Sequence, residues 1–302
     1  MLGFKYYKIF LTSLLIGILA SIGVAVYSLN CNEKEIEFSV YEKGIYVVSI
    51  DSDYFAKNSD IYVAETPQTV EEANLETVEN AARQNNAKVA INTGFFDPNN
   101  GKTISYILKN NKIIENPQNN ERLTGSEELK PYLNRIFNRA EFRILKCPID
   151  EILPNGQIKY YEAMFEIKKH NEPLPSQEAC TLVYSIQAGP ELVPYFDLEK
   201  EFFILKKDGK VVRESASALQ KVARSAIGIK KDKILLVAVS NENPMTLEEL
   251  SGFMKNLDVE QAMAFDGGSS TSLYVDIPEK KLMLTSAKDN AARRVKSILI
   301  VK

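Results

Sequence analysis

Between residues 35 and 301 the chain is a succession of short runs rich in β-branched and aromatic residues, separated by polar turns. Such runs predict strands at 35–41, 45–50, 60–64, 88–92, 103–108, 112–115, 181–188, 202–205, 221–229, 233–240, 262–265, 271–275 and 295–301. Asn110-Asn111 lies between two of them and predicts a tight hairpin, and residues 230–233 form a similar polar turn. Helical spacing is rarer. Thr69-Val70-Glu71-Glu72 has capping-box spacing and is followed by the apolar stripe Val70, Ala73, Val78, Ala81 and Ala82. Thr246-Leu247-Glu248-Glu249 repeats the device, followed by Leu250, Phe253, Met254 and Leu257. A third helix is expected from Pro131 to about Glu141, with the proline in its first turn. Strands outnumber scattered helices, which predicts an α+β fold of mixed β-sheets flanked by a few helices, in a single domain. Residues 117–187, with Pro148, Pro154, Pro173 and Pro175, read as an irregular elaboration within it.

A different pattern precedes this domain. Residues 9–26 carry no charge, Lys5 and Lys8 stand before them, and the next charge is Glu33. This is the layout of a membrane segment with the positive side held inside. We expect residues 1–30 to be a signal-anchor or a signal peptide and 31–302 to be the exported domain. The length of the apolar run favours an uncleaved anchor. The domain would then stand outside the cytoplasm, periplasmic or extracellular, or be secreted if the segment is cut. Val26-Tyr27-Ser28 is a weak cleavage site, and Ser28-Leu29-Asn30 before Cys31 is a poor lipoprotein box.

Composition narrows the chemistry. With 45% hydrophobic and 25% charged residues, the chain is neither disordered nor collagen-like. Its net charge is −3, and since the first 32 residues contribute +2, the remainder carries −5. No basic footprint for nucleic acid exists. The single histidine, His170, excludes His-pair zinc proteases and His-rich two-metal phosphatases. It lies in a polar stretch, no Gly-x-Ser-x-Gly motif accompanies it, and it reads as peripheral. Of the cysteines, Cys147 and Cys180 are the natural disulfide pair in an exported chain, leaving Cys31 beside the membrane; buried free thiols are the alternative. No cysteine spacing fits zinc.

Three segments carry candidate chemistry. In Ala264-Phe265-Asp266-Gly267-Gly268-Ser269-Ser270-Thr271-Ser272 a strand runs into an acid, two glycines and hydroxyl residues. Glycines let backbone approach a ligand, and their N–H groups with serine hydroxyls suit an anionic oxygen. A plain turn is the competing reading. In Val89-Ala90-Ile91-Asn92-Thr93-Gly94-Phe95-Phe96-Asp97 a strand leads to amide, aromatic and acidic side chains, which is sugar-holding chemistry, although paired phenylalanines are more often core. Arg224 sits inside the apolar run Ala223-Arg224-Ser225-Ala226-Ile227-Gly228-Ile229 and must find an anion, a structural carboxylate or a substrate phosphate. Arg293 before the last strand is a weaker instance.

Taken in order, Ile91-Asn92-Thr93-Gly94-Phe95-Phe96, Gln187-Ala188-Gly189-Pro190-Glu191-Leu192, Arg224-Ser225-Ala226-Ile227-Gly228, Met245-Thr246-Leu247-Glu248-Glu249-Leu250 and Asp266-Gly267-Gly268-Ser269-Ser270 resemble the phosphodiester glycosidase family, that of the lysosomal uncovering enzyme. The resemblance spans about 45–302 and ends in Arg293-Arg294-Val295-Lys296-Ser297. The segment from Asn120-Glu121-Arg122 through Arg139 to Cys180 is similar to a subgroup found in cyanobacteria-like bacteria. Members usually carry three glycines in the last motif, where this chain has two.

The resemblance implies an exported hydrolase that cleaves between an anomeric sugar and phosphate in a sugar-1-phosphodiester of cell-envelope or extracellular glycan. It implies catalytic roles for Asp266, with Asp97 as a possible second carboxylate and Asn92 as a hydrogen-bond donor. Arg224 and Arg293 would hold the phosphate, while Gly94, Phe95, Gly267, Gly268, Ser269 and Ser270 would contact substrate. No cofactor is expected; calcium at Asp97 is compatible, but no ligand loop indicates it. The expected partners are the carbohydrate phosphodiester and, through residues 9–26, the membrane. The rival readings are a non-catalytic phosphoglycan-binding module and an exopolysaccharide-assembly factor.

Overall fold

In the computed structural model, residues 34–64, 75–152, 156, 158–174, 180–287 and 291–302 are described. The expected membrane segment, Cys31 and the Thr69–Glu72 capping box lie outside these residues. Among the described residues no helix is long and apolar enough to cross a membrane.

Residues Ile36–Lys302 form one unit built mainly from strands. In chain order these begin with β1 (Ile36–Glu42), β2 (Ile45–Asp51), β3 (Ser59–Val63), β4 (Val89–Asn92), β5 (Ile107–Lys109) and β6 (Lys112–Glu115). Next come β7 (Ala140–Ile152), β8 (Ile158–Lys169), β9 (Thr181–Gln187), β10 (Glu191–Val193), β11 (Ile204–Lys207) and β12 (Lys210–Glu214). The last six are β13 (Arg224–Lys230), β14 (Lys233–Val239), β15 (Gln261–Ala264), β16 (Ser272–Ile277), β17 (Lys280–Thr285) and β18 (Ser297–Val301). Among the described residues the α-helices are α1 (Ser52–Asn58), α2 (Val78–Gln84), α3 (Glu121–Thr124), α4 (Leu133–Phe137) and α5 (Leu247–Asn256).

Three larger sheets run β1-β2-β14-β13-β15-β10, β17-β16-β4-β18-β3 and β6-β5-β9-β7-β8, with β11-β12 as a separate hairpin. The expected α+β class stands, but the sheets are not mixed: every strand pairing among the described residues is antiparallel. Short turns join many neighbours directly, which antiparallel pairing permits and parallel pairing does not. At one such turn Asn110 and Asn111 both adopt positive φ, +50° and +61°, the hairpin geometry their sequence suggested.

All three sheets contribute to one central core. Ile50, Ile227 and Leu236 meet Ile91, Leu273 and Leu299, together with Phe142, Ile144 and Ile186. The opposite face of the first sheet is covered by α5, whose Leu247, Leu250 and Met254 pack on Val237 and Ala262. Thr246 and Glu249 close the full capping box at its start. The opposite face of the second sheet is covered by α2, with Val78, Ala81 and Ala82 against Ala90 and Ile298. β4 and β13 are therefore apolar on both faces, and residues at their ends project from a rigid layer.

Two stretches differ from expectation. The helix expected from Pro131 is a 3-10 turn at Lys130–Tyr132 followed by α4, and it stops before β7. Residues 117–187, expected to be irregular, contain the long β7–β8 hairpin and β9. Its alternation is masked because Arg143 and Glu141 are buried charges inside a strand. Arg143 bonds Glu141 at 2.6 Å and Glu166 at 3.0 Å. His170 joins this cluster through Glu141 (2.7 Å) and stacks on Tyr106 with ring centroids 4.0 Å apart. Cys147 of β7 and Cys180 just before β9 form a disulfide.

Candidate active site

The ends of β4, β13 and β15 meet at one point. β13 pairs with β15 from Ala226↔Ala264 to Ile229↔Gln261, so Arg224 and Asp266 emerge at the same end of the sheet. β4 belongs to the neighbouring sheet, yet its last residue bridges the gap. Asn92 is fully buried, and its Nδ2 donates to the main-chain carbonyl of Asp266 at 2.6 Å. Its Oδ1 accepts from Ser225 Oγ at 2.7 Å and from the Ser272 N–H at 3.0 Å. The Asp266 N–H returns a bond to the Thr93 carbonyl at 2.7 Å. With one amide N–H and the carbonyl oxygen bonded to three different segments, Asn92 is a buried tie between strands.

Asp266 is the site's titratable centre. Burial pushes its carboxyl up to about 6, against the opposing pull of the Ser270 hydrogen bond, the Arg293 charge, the Gly267 N–H and the Arg224 charge. Both arginines thus act on the same carboxylate. They do so differently. Arg224 donates from Nε to the Met245 carbonyl (2.8 Å), from Nη1 to Ala216 (3.3 Å) and from Nη2 to Ser217 (2.7 Å) and Gln220 (2.8 Å). It is a clamp on backbone carbonyls that walls the site behind Gly267. Arg293 is less committed: it donates to Ser269 Oγ and lies over the Phe96 ring, 5.4 Å from its centroid.

The glycines allow close approach. A Cβ on Gly94 would meet Ser105 Cβ at 2.9 Å and Ser297 Oγ at 3.2 Å. Ser297 Oγ accepts from both Thr93 Oγ1 (2.8 Å) and the Gly94 N–H (3.0 Å), and Ser105 Oγ accepts from the Phe95 N–H (2.9 Å). Gly268 takes φ +60° with open space around its Cβ direction, and its N–H donates to the Ala223 carbonyl at 2.8 Å. The Ser270 N–H closes the turn onto the Gly267 carbonyl at 3.2 Å.

The remaining expected residues are engaged with other parts of the protein. Phe96 is core, 7% exposed, and Phe95 packs on Phe203. Asp97 bonds Arg122 at 2.8 Å and the Asn99 N–H at 2.9 Å. Partial burial raises its pKa, but the Asn99 and Arg122 contacts outweigh this and hold it below the ordinary carboxylate range. Sequence reasoning gave no role to Ser225, Ser105 or Ser297, whose hydroxyls set the geometry. Among the described residues no three His, Cys, Asp or Glu side chains gather as a metal site.

Comparison with known proteins adds the family. No curated protein matches the chain. By fold it is similar to the catalytic domain of zebrafish N-acetylglucosamine-1-phosphodiester α-N-acetylglucosaminidase, solved auto-inhibited by its pro-peptide. The identity is 16% and the TM-score 0.57, over 90% of this chain and 85% of that one. It is also similar to a protein from Synechocystis at 18% identity and a TM-score of 0.52, over 88% of this chain. This chain spans 61% of the length of the Synechocystis protein. The family model described as phosphodiester glycosidase matches residues 85–302, from before β4 to the end of β18. The chain belongs to the phosphodiester glycosidase family, a family of hydrolases.

Proposed function

We propose that this chain cleaves the bond between an anomeric sugar carbon and phosphate in a sugar-1-phosphodiester, with Asp266 as its acid–base group. The observation that carries the reading is a carboxylate at the end of β15, on the glycine turn whose Ser269 bonds Arg293 and at the same sheet end as Arg224, where burial pushes it up to about 6. At neutral pH its carboxylate form accepts a proton from the water that attacks the anomeric carbon. The C–O bond to phosphate breaks as the new one forms. The leaving group is a phosphate monoester, already a stable anion, so little acid assistance is needed, which suits a site with one carboxylate. Arg293 with Ser269 offsets the departing charge. Arg224 shapes the wall behind Gly267, and Asn92 acts through the Asp266 backbone. Gly94 and Phe95 contribute by holding the end of β4 through their N–H bonds to Ser297 and Ser105.

The same reading places the domain outside the cytoplasm, with residues 9–26 as anchor or signal and envelope or extracellular glycan as substrate. The rival is a module that binds phosphoglycan without cleaving it, whether in the envelope or in exopolysaccharide assembly. Incubating the full-length protein with UDP-N-acetylglucosamine and other sugar-1-phosphodiesters, and assaying free sugar, separates the two. Turnover that disappears in Asp266→Asn supports the hydrolase. Binding without turnover, unchanged in Asp266→Asn, supports the rival.

A further inference from the structure

Among the described residues, five buried side-chain polar atoms have no hydrogen-bond partner, and four of them lie together. They are Thr271 Oγ1, Ser272 Oγ, Thr285 Oγ1 and Ser286 Oγ. Thr271 and Ser272 are fully buried, and Ser286 is 6% exposed. Ser272 stands directly opposite Thr285 in the β16–β17 pairing, and the Ser286 N–H, bonded to the Thr271 carbonyl at 3.0 Å, continues the ladder by one step. Side chains opposite one another across a ladder have Cβ atoms about 5 Å apart, close enough for two hydroxyls to bond. These hydroxyls do not. A buried hydroxyl without a partner destabilises a fold, and an apolar group of the same shape in its place does not.

The four hydroxyls adjoin the Asp266 turn. From Asp266 the chain runs through Gly267 and Gly268 into Ser269, Ser270, Thr271 and Ser272. The first two hydroxyls of that run have charged partners: Ser269 Oγ accepts from Arg293, and Ser270 bonds the Asp266 carboxylate. The next two have none. The main chain around them is nevertheless fixed, since the Ser272 N–H bonds Asn92 Oδ1 at 3.0 Å and Asn241 Nδ2 donates to the Ser286 carbonyl at 2.8 Å. β17 is the edge strand of its sheet, so Thr285 and Ser286 can turn outward without breaking a strand pairing on their far side. A hydroxyl both donates and accepts, and no ammonium, guanidinium or carboxylate holds any of the four. Such a group fits a neutral ligand surface that is itself made of hydroxyls, which is the chemistry of a sugar ring.

We propose that Thr271, Ser272, Thr285 and Ser286 receive the hydroxyl groups of the substrate's sugar, the end of β17 shifting outward to admit them. The inference rests on the Asp266 turn being the hydrolytic centre and adds an orientation to it: phosphate toward Arg293 and Ser269, sugar toward the start of the β16–β17 pairing. Hydroxyls left unpaired in the free protein cost stability and form their bonds only when the ligand arrives, an exchange of stability for function.

Thermal melts of the ligand-free full-length protein, with isothermal titration of glucose, galactose, mannose and N-acetylglucosamine 1-phosphates and of inorganic phosphate, test this. At least one sugar phosphate should saturate and bind at least roughly tenfold tighter than inorganic phosphate. Thr271→Val and Ser286→Ala should each raise the ligand-free melting temperature and weaken that sugar phosphate roughly twofold to tenfold, the worth of one hydrogen bond. Inorganic phosphate should stay within about twofold in both, because its contacts lie elsewhere. Thr271→Ser keeps the hydroxyl and should keep the parent's affinity. The proposal is overturned if no sugar phosphate saturates by roughly 10 mM, or if both variants bind it as the parent does. It is equally overturned if both variants melt lower than the parent, which would make the hydroxyls part of the fold, or if Thr271→Ser loses as much affinity as Thr271→Val. These titrations need no turnover: a protein that binds as expected but hydrolyses no sugar-1-phosphodiester would refute the hydrolytic reading of Asp266 and leave the hydroxyl site standing.

Discussion

The side chain of Asn92 holds the backbone of Asp266: its Nδ2 lies 2.6 Å from the Asp266 carbonyl oxygen, across 174 residues of sequence. Two motifs at the ends of separate strands are thus one mechanical unit. Asn92→Ala removes three buried hydrogen bonds and leaves the Ser225 hydroxyl and the Ser272 N–H without this acceptor. It should cost roughly 2–4 kcal/mol, read from denaturant midpoints. Where the variant stays folded, kcat should fall far more than KM rises, since Asn92 is fully buried and acts through the Asp266 backbone.

Asp266→Asn should lower kcat by roughly 10²–10⁴, the range for losing an acid–base group. The same change should stabilise the fold at neutral pH. The folded carboxyl titrates near 6 against 3.8 for the ordinary value, so the folded state holds its proton more tightly. Native stability from this group is therefore greatest at low pH and is lost as pH rises from about 4 to about 6. Asparagine escapes that loss, and the variant's advantage in unfolding free energy, followed by melting temperature, should grow across this window to at most about 3 kcal/mol.

The pH dependence of kcat/KM reports the working form of Asp266. With the carboxylate as base, activity should be low at pH 4–5 and rise through about 6. An activity that falls through the same point would instead make Asp266 the acid.

Gly94→Ala tests the close approach beside the site. The new methyl meets Ser105 Cβ at 2.9 Å and Ser297 Oγ at 3.2 Å, and neither belongs to a long flexible side chain. Overpacking of this kind should cost roughly 1–3 kcal/mol, with turnover reduced in the folded fraction.

The Cys147–Cys180 disulfide links positions 33 apart in sequence. Reduction, or Cys147→Ser with Cys180→Ser, should lower stability by roughly 2–4 kcal/mol, measured by thermal melts with and without reductant. The link lies in the β7–β9 sheet, so turnover at temperatures well below the melt should persist.

Much of this architecture was legible because local rules and fold agree. The Thr246 capping box, the Asn110-Asn111 turn and the apolar runs of β4, β13 and β14 all appear where their residues suggest. The β7–β8 hairpin was not legible, since Glu141, Arg143 and Glu166 put charge where a strand pattern needs apolar residues, and their mutual pairing exists only after folding. The candidate site divides in the same way. Asp266 and its glycine turn announce themselves in sequence. That Asn92 faces inward, that Arg224 is engaged by four carbonyls, and that Asp97 is engaged by Arg122 depend on neighbours supplied from distant segments.

Ser297, at the start of β18, has a consequence in time. Its hydroxyl fixes Thr93 and Gly94, while β18 itself is the strand between β4 and β3. During synthesis β4 waits for more than two hundred further residues before this partner emerges. Pairings of such sequence separation form late. A nascent chain, or one truncated before residue 297, has β4 and the Asp266 turn but not the latch that sets them. The setting of Asp266 is therefore complete only with the last strand, because Ser297 fixes Thr93, whose carbonyl holds the Asp266 N–H.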